Sequence, residues 1–379
     1  MGRSSAIVLC VAVATMVSMG LIMLTSTSMW AAGVEEYSLV KRQIIWTGVG
    51  LLVAGGMAWM DYRVLRRFWI PILLVACVLL ALCYVPGIGV WRNGETRWIN
   101  LPLLGQFQPS EIAKVAIIIS LAAWFAQYQA ESTCFWRGFV MPGLLLGVPT
   151  MLIFFEKDMG TAAAVGAAGF AVLYVAGTRW WWLLMSAGGG FSGLSYMVMS
   201  DENRWARIMA FLDLEGTKLG AGLQQYRAML AFGSGGMTGV GLGNGTEKHG
   251  ALPFAHTDFI FSMIGEELGL VATLGTVFCF VLITTMGLSI ALNANDHFGK
   301  LLGVGLTAMI VVPAIMNIGV VTAVLPNTGL PLPFVSYGGS NLVFTLAAVG
   351  LLVSLHRRAR FAERAEMPVI KERKLALKI

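Results

Sequence analysis

Charge is scarce in this chain. Only 12% of its 379 residues are charged, while 57% are hydrophobic; soluble domains carry roughly a quarter charged residues. A water-soluble fold could not hide that much apolar surface, so lipid must solvate most of it. The short alternating strands of a membrane β-barrel are missing too, which leaves a bundle of apolar helices. Cysteine is sparse and unpatterned. Cys10, Cys77, Cys83, Cys134 and Cys279 form no CxxC pair, and four of them fall inside apolar runs. A disulfide framework and a dedicated zinc site are therefore not expected, and the thiols read as small packing residues. There is also no internal repeat and no low-complexity linker. The net charge is +6, and the segment from Arg357 onward supplies most of it, with eight basic residues against three acidic. A basic stretch after a last apolar run suits an anionic cytoplasmic membrane surface. No basic domain stands behind it, so no nucleic-acid partner is expected.

Long apolar runs are what the chain does have. A helix needs about 20 apolar residues to cross a bilayer. Runs of that kind predict spans near 6–30, 44–60, 68–86, 110–128, 139–155, 160–176, 179–198, 259–290, 300–325 and 340–356. The fold class is thus all-α and polytopic, with about ten transmembrane helices and one large extracytoplasmic loop, 199–258, between the seventh and eighth. The first run is longer than the core of a signal peptide, so it reads as a retained span. An even number of spans puts both termini on one side, and the basic tail makes that side cytoplasmic. Arg63, Arg66, Arg67, Arg137, Arg179 and Lys300 then fall inside as well. The segments 31–43, 87–109, 156–160, 199–258 and 325–340 fall outside. One membrane domain, 1–356, is followed by a basic cytoplasmic tail, 357–379.

With that topology the unusual polar residues gather on the outer face. QPSEIAK (108–114) opens the fourth span. Pro109 suits a first helical turn, Glu111 complements the helix dipole, and Lys114, three residues on, faces the same way and can pair with it. EKDMGT (156–161) turns between the fifth and sixth spans, Asp258 opens the eighth, and SYGGS (336–340) leads into the tenth. Each alone also fits a structural role: an ion pair, a wet turn, a helix cap. Their joint placement does not, because ionisable groups at a membrane are costly and mark a pathway or a site. Glu266 and Glu267 lie deeper in the eighth span, and pairing with a basic group is the expected role.

Other features carry less. GSGGMTGVGLGNG (233–245) lacks the strand and helix of a dinucleotide fold and reads as a flexible or tightly turned outer segment. His249 and His256 lack metal-ligand spacing. Trp91 and Trp98 fit an interfacial belt, while Arg92 and Arg97, like Lys41 and Arg42, could either anchor the interface or hold a phosphate.

Taken together, VKRQ (40–43), RWINL (97–101), FQPSEIAK (107–114), KDMGTA (157–162), GSGGMTGVGLGNG (233–245), AHTDFIFSMIGEELG (255–269), NIGVVTAVLP (317–326) and GLPLPFVSYGGSNL (329–342) resemble the SEDS family (shape, elongation, division and sporulation). They follow the family's order along nearly the whole chain. The resemblance implies a peptidoglycan glycosyltransferase of the bacterial cytoplasmic membrane. Such an enzyme polymerises lipid II, a disaccharide-peptide on undecaprenyl diphosphate, and works with a class B penicillin-binding protein that crosslinks the strands. The AHTDFIF and VKRQ blocks lean towards the division-type branch, with other divisome proteins as partners and the septum as location.

The family's essential aspartate falls on Asp258, its pair in the fourth span on Glu111 and Lys114, and its acid between the fifth and sixth spans on Asp158. As general base, Asp258 would take a proton from the attacking sugar hydroxyl. The leaving diphosphate needs cations, for which Lys114, Arg97, Arg42 and Lys157 are candidates; Ser336 completes the substrate-binding set. A divalent cation such as Mg or Mn could accompany the diphosphate, although no dedicated metal site is visible. Two stretches depart from the family: EKDMG stands where a QPDLG-like turn is usual, and LQQYRAML (223–230) retains Gln224 but not the flanking pattern. A lipid II flippase and a non-catalytic division scaffold are the rival readings. A transporter would keep polar groups near the midplane and expose them to both sides, whereas these carboxylates crowd one face.

Overall fold

The computed structural model of the protein describes residues 4–28, 37–92, 95–101, 105–249 and 252–376. The helices α1 (Ser4–Ser28), α2 (Ser38–Trp59), the short α3 (Arg63–Arg67) and α4 (Trp69–Leu82) come first. Next are α5 (Pro109–Gln127), α6 (Met141–Phe155), α7 (Met159–Val175) and α8 (Trp180–Met199), then α9 (Glu202–Leu212) and α10 (Leu223–Gly235). The chain ends in α11 (Ile260–Leu292), α12 (His297–Val321) and α13 (Gly339–Ala376). A helix stands at each of the ten predicted spans, and the protein is an all-α polytopic membrane protein. Among the described residues, six stretches are long and apolar enough to cross a bilayer: α1, α5, Phe135–Phe155 with α6, α11, α12 and the first part of α13. α4 and α7 are shorter apolar helices, and α2 and α8 occupy the other two predicted spans.

α5 forms the centre. Of its apolar stretch 78% is buried, against 28% for that of α6, and α12 packs along it while also touching α7 and α11. α13 lies along α2. α8 stands at the other extreme: no residue of it is buried, so its side chains are left for lipid.

Two regions read as outer loop carry order of their own. Within 87–109, β1 (Gly89–Arg92), β2 (Glu95–Leu101) and β3 (Gly105–Phe107) form an antiparallel sheet in that order. Ile99 at its centre pairs with Gly89 on one side and Phe107 on the other. The strands are too short, and too interrupted by glycine and asparagine, to show alternation in the sequence. Within 199–258, α9 and α10 are followed by a turned segment that docks against α11.

That docking explains the glycine-rich stretch. α11 is kinked at Gly269, whose φ of 74° is left-handed. The kink frees backbone groups, and the segment after α10 takes them up. Val240 N donates to Glu266 O (2.9 Å) and Gly241 N to Glu267 O (3.0 Å), while Leu270 N donates to Gly236 O (2.9 Å). Non-helical backbone at membrane depth is tolerable only when satisfied by neighbouring protein in this way. A Cβ on Gly239 would sit 2.2 Å from Glu267 O, and one on Gly269 2.4 Å from Gly239 N, so both positions need glycine.

The same contact buries the acidic pair. Glu267 is paired with Lys248 at 2.7 Å, with both side chains essentially inaccessible. Ser26 of α1 and the Gly243 amide also donate to its carboxylate. Glu266 accepts from Thr246 N (2.6 Å), Thr246 Oγ1 (3.0 Å) and Glu247 N (3.2 Å). The expected basic partner is thus Lys248, supplied from the segment between α10 and α11.

Candidate active site

Five helices, α2, α5, α7, α11 and α13, begin at one end of the bundle, and their first turns are stitched together. Gln43 of α2 donates to Ser336 O and accepts from Gly338 N, both at 3.3 Å. Gln108, before α5, donates from its backbone to Ser340 Oγ (3.4 Å) and from its side chain to Asp158 Oδ2 (3.2 Å). Converging helix N-termini offer amide groups and positive dipole ends to an anion. The opposite end is closed differently: Asp61 pairs with Arg358 at 3.1 Å, Tyr62 donates to Asp296, and Ser354 donates to Met60 O at 2.6 Å.

Asp258 sits in the turn before α11, where the backbone of residues 256–258 is clamped from three sides. Asn317 Nδ2 donates to both Asp258 O and Leu330 O at 2.7 Å. Ser336 Oγ donates to Thr257 O at 2.6 Å and accepts from Leu332 N at 2.8 Å. Tyr337 N donates to His256 O at 3.1 Å. The side chain is treated otherwise. It is half-buried beside Gly329, where a Cβ would lie 3.7 Å from Oδ2. Among the described residues its carboxylate makes no hydrogen bond or ion pair. Burial pushes its pKa up to about 6, against the pull of Arg97 and Arg207 and with a further push from Asp158. A carboxylate poised near neutrality and left unpartnered is suited to taking a proton.

Arg97, on β2, binds the α6–α7 corner, and its charge also acts on Asp258. Its guanidinium donates to Lys157 O (2.8 Å) and lies 3.9 Å from Asp158 Oδ2. Asp158 caps α7, accepting from Thr161 N at 3.0 Å, which accounts for an aspartate at that helix start. Lys157 is exposed and adopts a left-handed φ of 67°.

The other expected residues divide in two. Glu111 and Lys114 are buried and paired at 2.7 Å, and Asn341 Nδ2 donates to Glu111 at 3.3 Å. The predicted spacing makes the predicted pair, but the Lys114 charge is already matched. Ser336 is 5% exposed and its hydroxyl is engaged in the clamp. Arg42 is exposed on α2, beside Gln43. The side chain of Arg92 lies outside the described residues. The sequence reading missed Arg207, whose charge reaches Asp258 from α9 and which had counted as an ordinary loop charge. It also missed Asn317 and Gln225. Gln225 donates to Val320 O (2.9 Å) and Leu325 O (2.8 Å) where α12 ends. An asparagine inside the apolar run before Gly319 was the signal available.

With this geometry in hand, likeness to known proteins becomes informative. The FTSW_RODA_SPOVE family model, described as "Cell cycle protein", matches residues 6–361. The chain is 37% identical to the probable peptidoglycan glycosyltransferase FtsW of Geobacter sp. (strain M18), over 86% of this chain and 89% of that one. It is 36% identical to the stage V sporulation protein E of Bacillus subtilis (strain 168), over 91% and 95%. A solved chain from a peptidoglycan synthase complex, concerned with the structural coordination of polymerization and crosslinking, matches with a TM-score of 0.76 at 28% identity, covering 93% of this chain and 97% of that one. The protein belongs to this family, the SEDS proteins of the sequence analysis.

Proposed function

We propose that this membrane peptidoglycan glycosyltransferase joins lipid II units into glycan strands at the outer face of the bacterial cytoplasmic membrane, with Asp258 as general base. The unpartnered, half-buried Asp258 carboxylate among converging helix starts is the observation that carries this reading. The acceptor hydroxyl oxygen attacks the anomeric carbon of the donor sugar as the bond from that carbon to the diphosphate oxygen breaks. The hydroxyl proton passes to Asp258, and undecaprenyl diphosphate leaves. Direct displacement of an α-linked diphosphate inverts the anomeric centre and needs no sugar–enzyme intermediate. Arg97, beside Asp158 and with its charge acting on Asp258, is the best-placed cation for the developing diphosphate charge, with exposed Lys157 and Arg42 further out. The buried Glu111–Lys114 pair fixes the floor of the site. A divalent cation such as Mg or Mn enters with the diphosphate, as part of the substrate.

Both termini are cytoplasmic in this reading, and a class B penicillin-binding protein crosslinks the product. The division septum is the proposed location, in keeping with the FtsW-type relatives. The test is polymerisation of labelled lipid II by the purified protein with its class B partner, beside Asp258→Asn, with folding and partner binding checked in both. Strands from the wild type and a loss of about 10²–10⁴-fold in the variant are expected. Equal strands from both would remove Asp258 as the base.

A further inference from the structure

One acid next to the site has no role in the chemistry above. Glu156 ends α6 and is 1% exposed. Among the described residues, neither carboxyl oxygen meets a hydrogen-bond partner apart from the adjacent Cys83 thiol. The groups that face it can be named element by element. Cys83 and Tyr84 approach from beyond α4, but the Tyr84 hydroxyl is committed to Leu152 O at 2.5 Å. Arg97 approaches from β2, and Asp158 shares the corner. Gln108, just before α5, already donates to Asp158, and the charged pair of α5, Glu111 and Lys114, is matched within itself. Lys157 is exposed.

Two neighbouring acids therefore share one guanidinium. Asp158 receives an amide, a carboxamide and Arg97, all of which favour its charged form. Glu156 receives none of these, and an unpaired charge at that depth is costly. The environment allots the negative charge to Asp158 and the proton to Glu156, as in other carboxyl pairs driven apart by their surroundings. Burial first, and Asp158 second, push Glu156 up to about 8. If Glu156 ionised, it would compete for Arg97, whose charge also acts on Asp258.

We propose that Glu156 is a positioning residue: as the neutral acid it leaves Arg97 to Asp158 and Asp258, and its ionisation draws that arginine away and switches the site off. This rests on the reading of Asp258 as the catalytic base.

The test compares lipid II polymerisation against pH for wild type, Glu156→Gln and Glu156→Met, each normalised to its own rate at pH 7 and assayed with the class B partner. The expected wild-type profile falls about tenfold per pH unit above the titration of Glu156, and this limb is absent from both variants. Superimposable alkaline limbs in all three would overturn the proposal. Burial holds the neighbouring Cys83 and Tyr84 well above their ordinary values, so neither titrates in this range. Infrared spectra in nanodiscs give a second readout that needs no turnover. A protonated carboxyl band is expected at pH 7 in the wild type, lost at alkaline pH and missing from both variants; spectra identical among the three would overturn the proposal. Asp258→Asn separates the two readings. If it polymerises normally, the base assignment fails, while the infrared comparison still decides the state of Glu156.

Discussion

Asp258 and Glu267 stand nine residues apart at the start of one helix, and the protein treats them oppositely. Glu267 is wholly buried, and its charge is met by a lysine, a serine hydroxyl and a backbone amide. Asp258 is half-buried, and the polar groups around it bind its backbone and that of Thr257 instead of its carboxylate. The first arrangement spends hydrogen bonds on holding a kinked helix against a docked segment. The second leaves an acid unmatched on a rigid frame. An unmatched acid at a fixed position is a working group, and a fully matched one is structural. By that criterion Glu111 falls with Glu267, and Glu156 falls with Asp258.

The comparison breaks most sharply at Asp258. Its carboxylate must be ionised to accept a proton, and its pKa lies at about 6. Polymerisation should therefore fall about tenfold per pH unit below that value, and Asp258→Asn should lose about 10²–10⁴-fold above it, a deficit that shrinks as the wild type itself is protonated, with a melting temperature no lower than the wild type's. Next in size, Lys248→Ala should destabilise the protein by about 3–5 kcal/mol by stranding the buried Glu267 charge, read as a lower melting temperature in detergent. The double variant Lys248→Met with Glu267→Leu should recover much of that loss, which would place the pair in the structural class.

Glu156→Gln should move stability the other way. An unfolded glutamate ionises near 4.3, whereas in the fold Glu156 holds its proton up to about 8. The unfolded chain therefore binds fewer protons between those values, and wild-type stability falls as pH rises through that window. The variant should gain about 2–4 kcal/mol at and above pH 8 and nothing at pH 4, as followed by melting temperature against pH. Smallest of all, Arg42→Ala should change stability by less than about 0.5 kcal/mol. Its effect should appear as a raised KM for lipid II with kcat little altered.

The two classes of acid were not equally legible in the sequence. Each apolar run announced its helix, so the ten spans and the face gathering Glu111, Asp158 and Asp258 could be read directly. Glu111 and Lys114 were a helical spacing apart, and their pairing followed. Pairing of the Glu266–Glu267 step with a base was foreseeable from the cost of charge in lipid, but Lys248 was not, because it is reached through a turned, glycine-rich segment with no periodicity. Glu156 looked like one charge of a wet turn; only tertiary packing buries it. The small sheet holding Arg97 escaped for a related reason, since its strands are shorter than the pattern that reveals strands.

The bond between Lys248 and Glu267 also bears on how the chain is made. A ribosome emits the lysine nineteen residues before its acid, and Ser26 long before either. A lone carboxylate or ammonium at mid-helix costs about 2.5–3.5 kcal/mol to insert. Here the first half of α11 leaves the translocon with its counter-charge already waiting, so its two glutamates need not face lipid while the rest of the protein is synthesised.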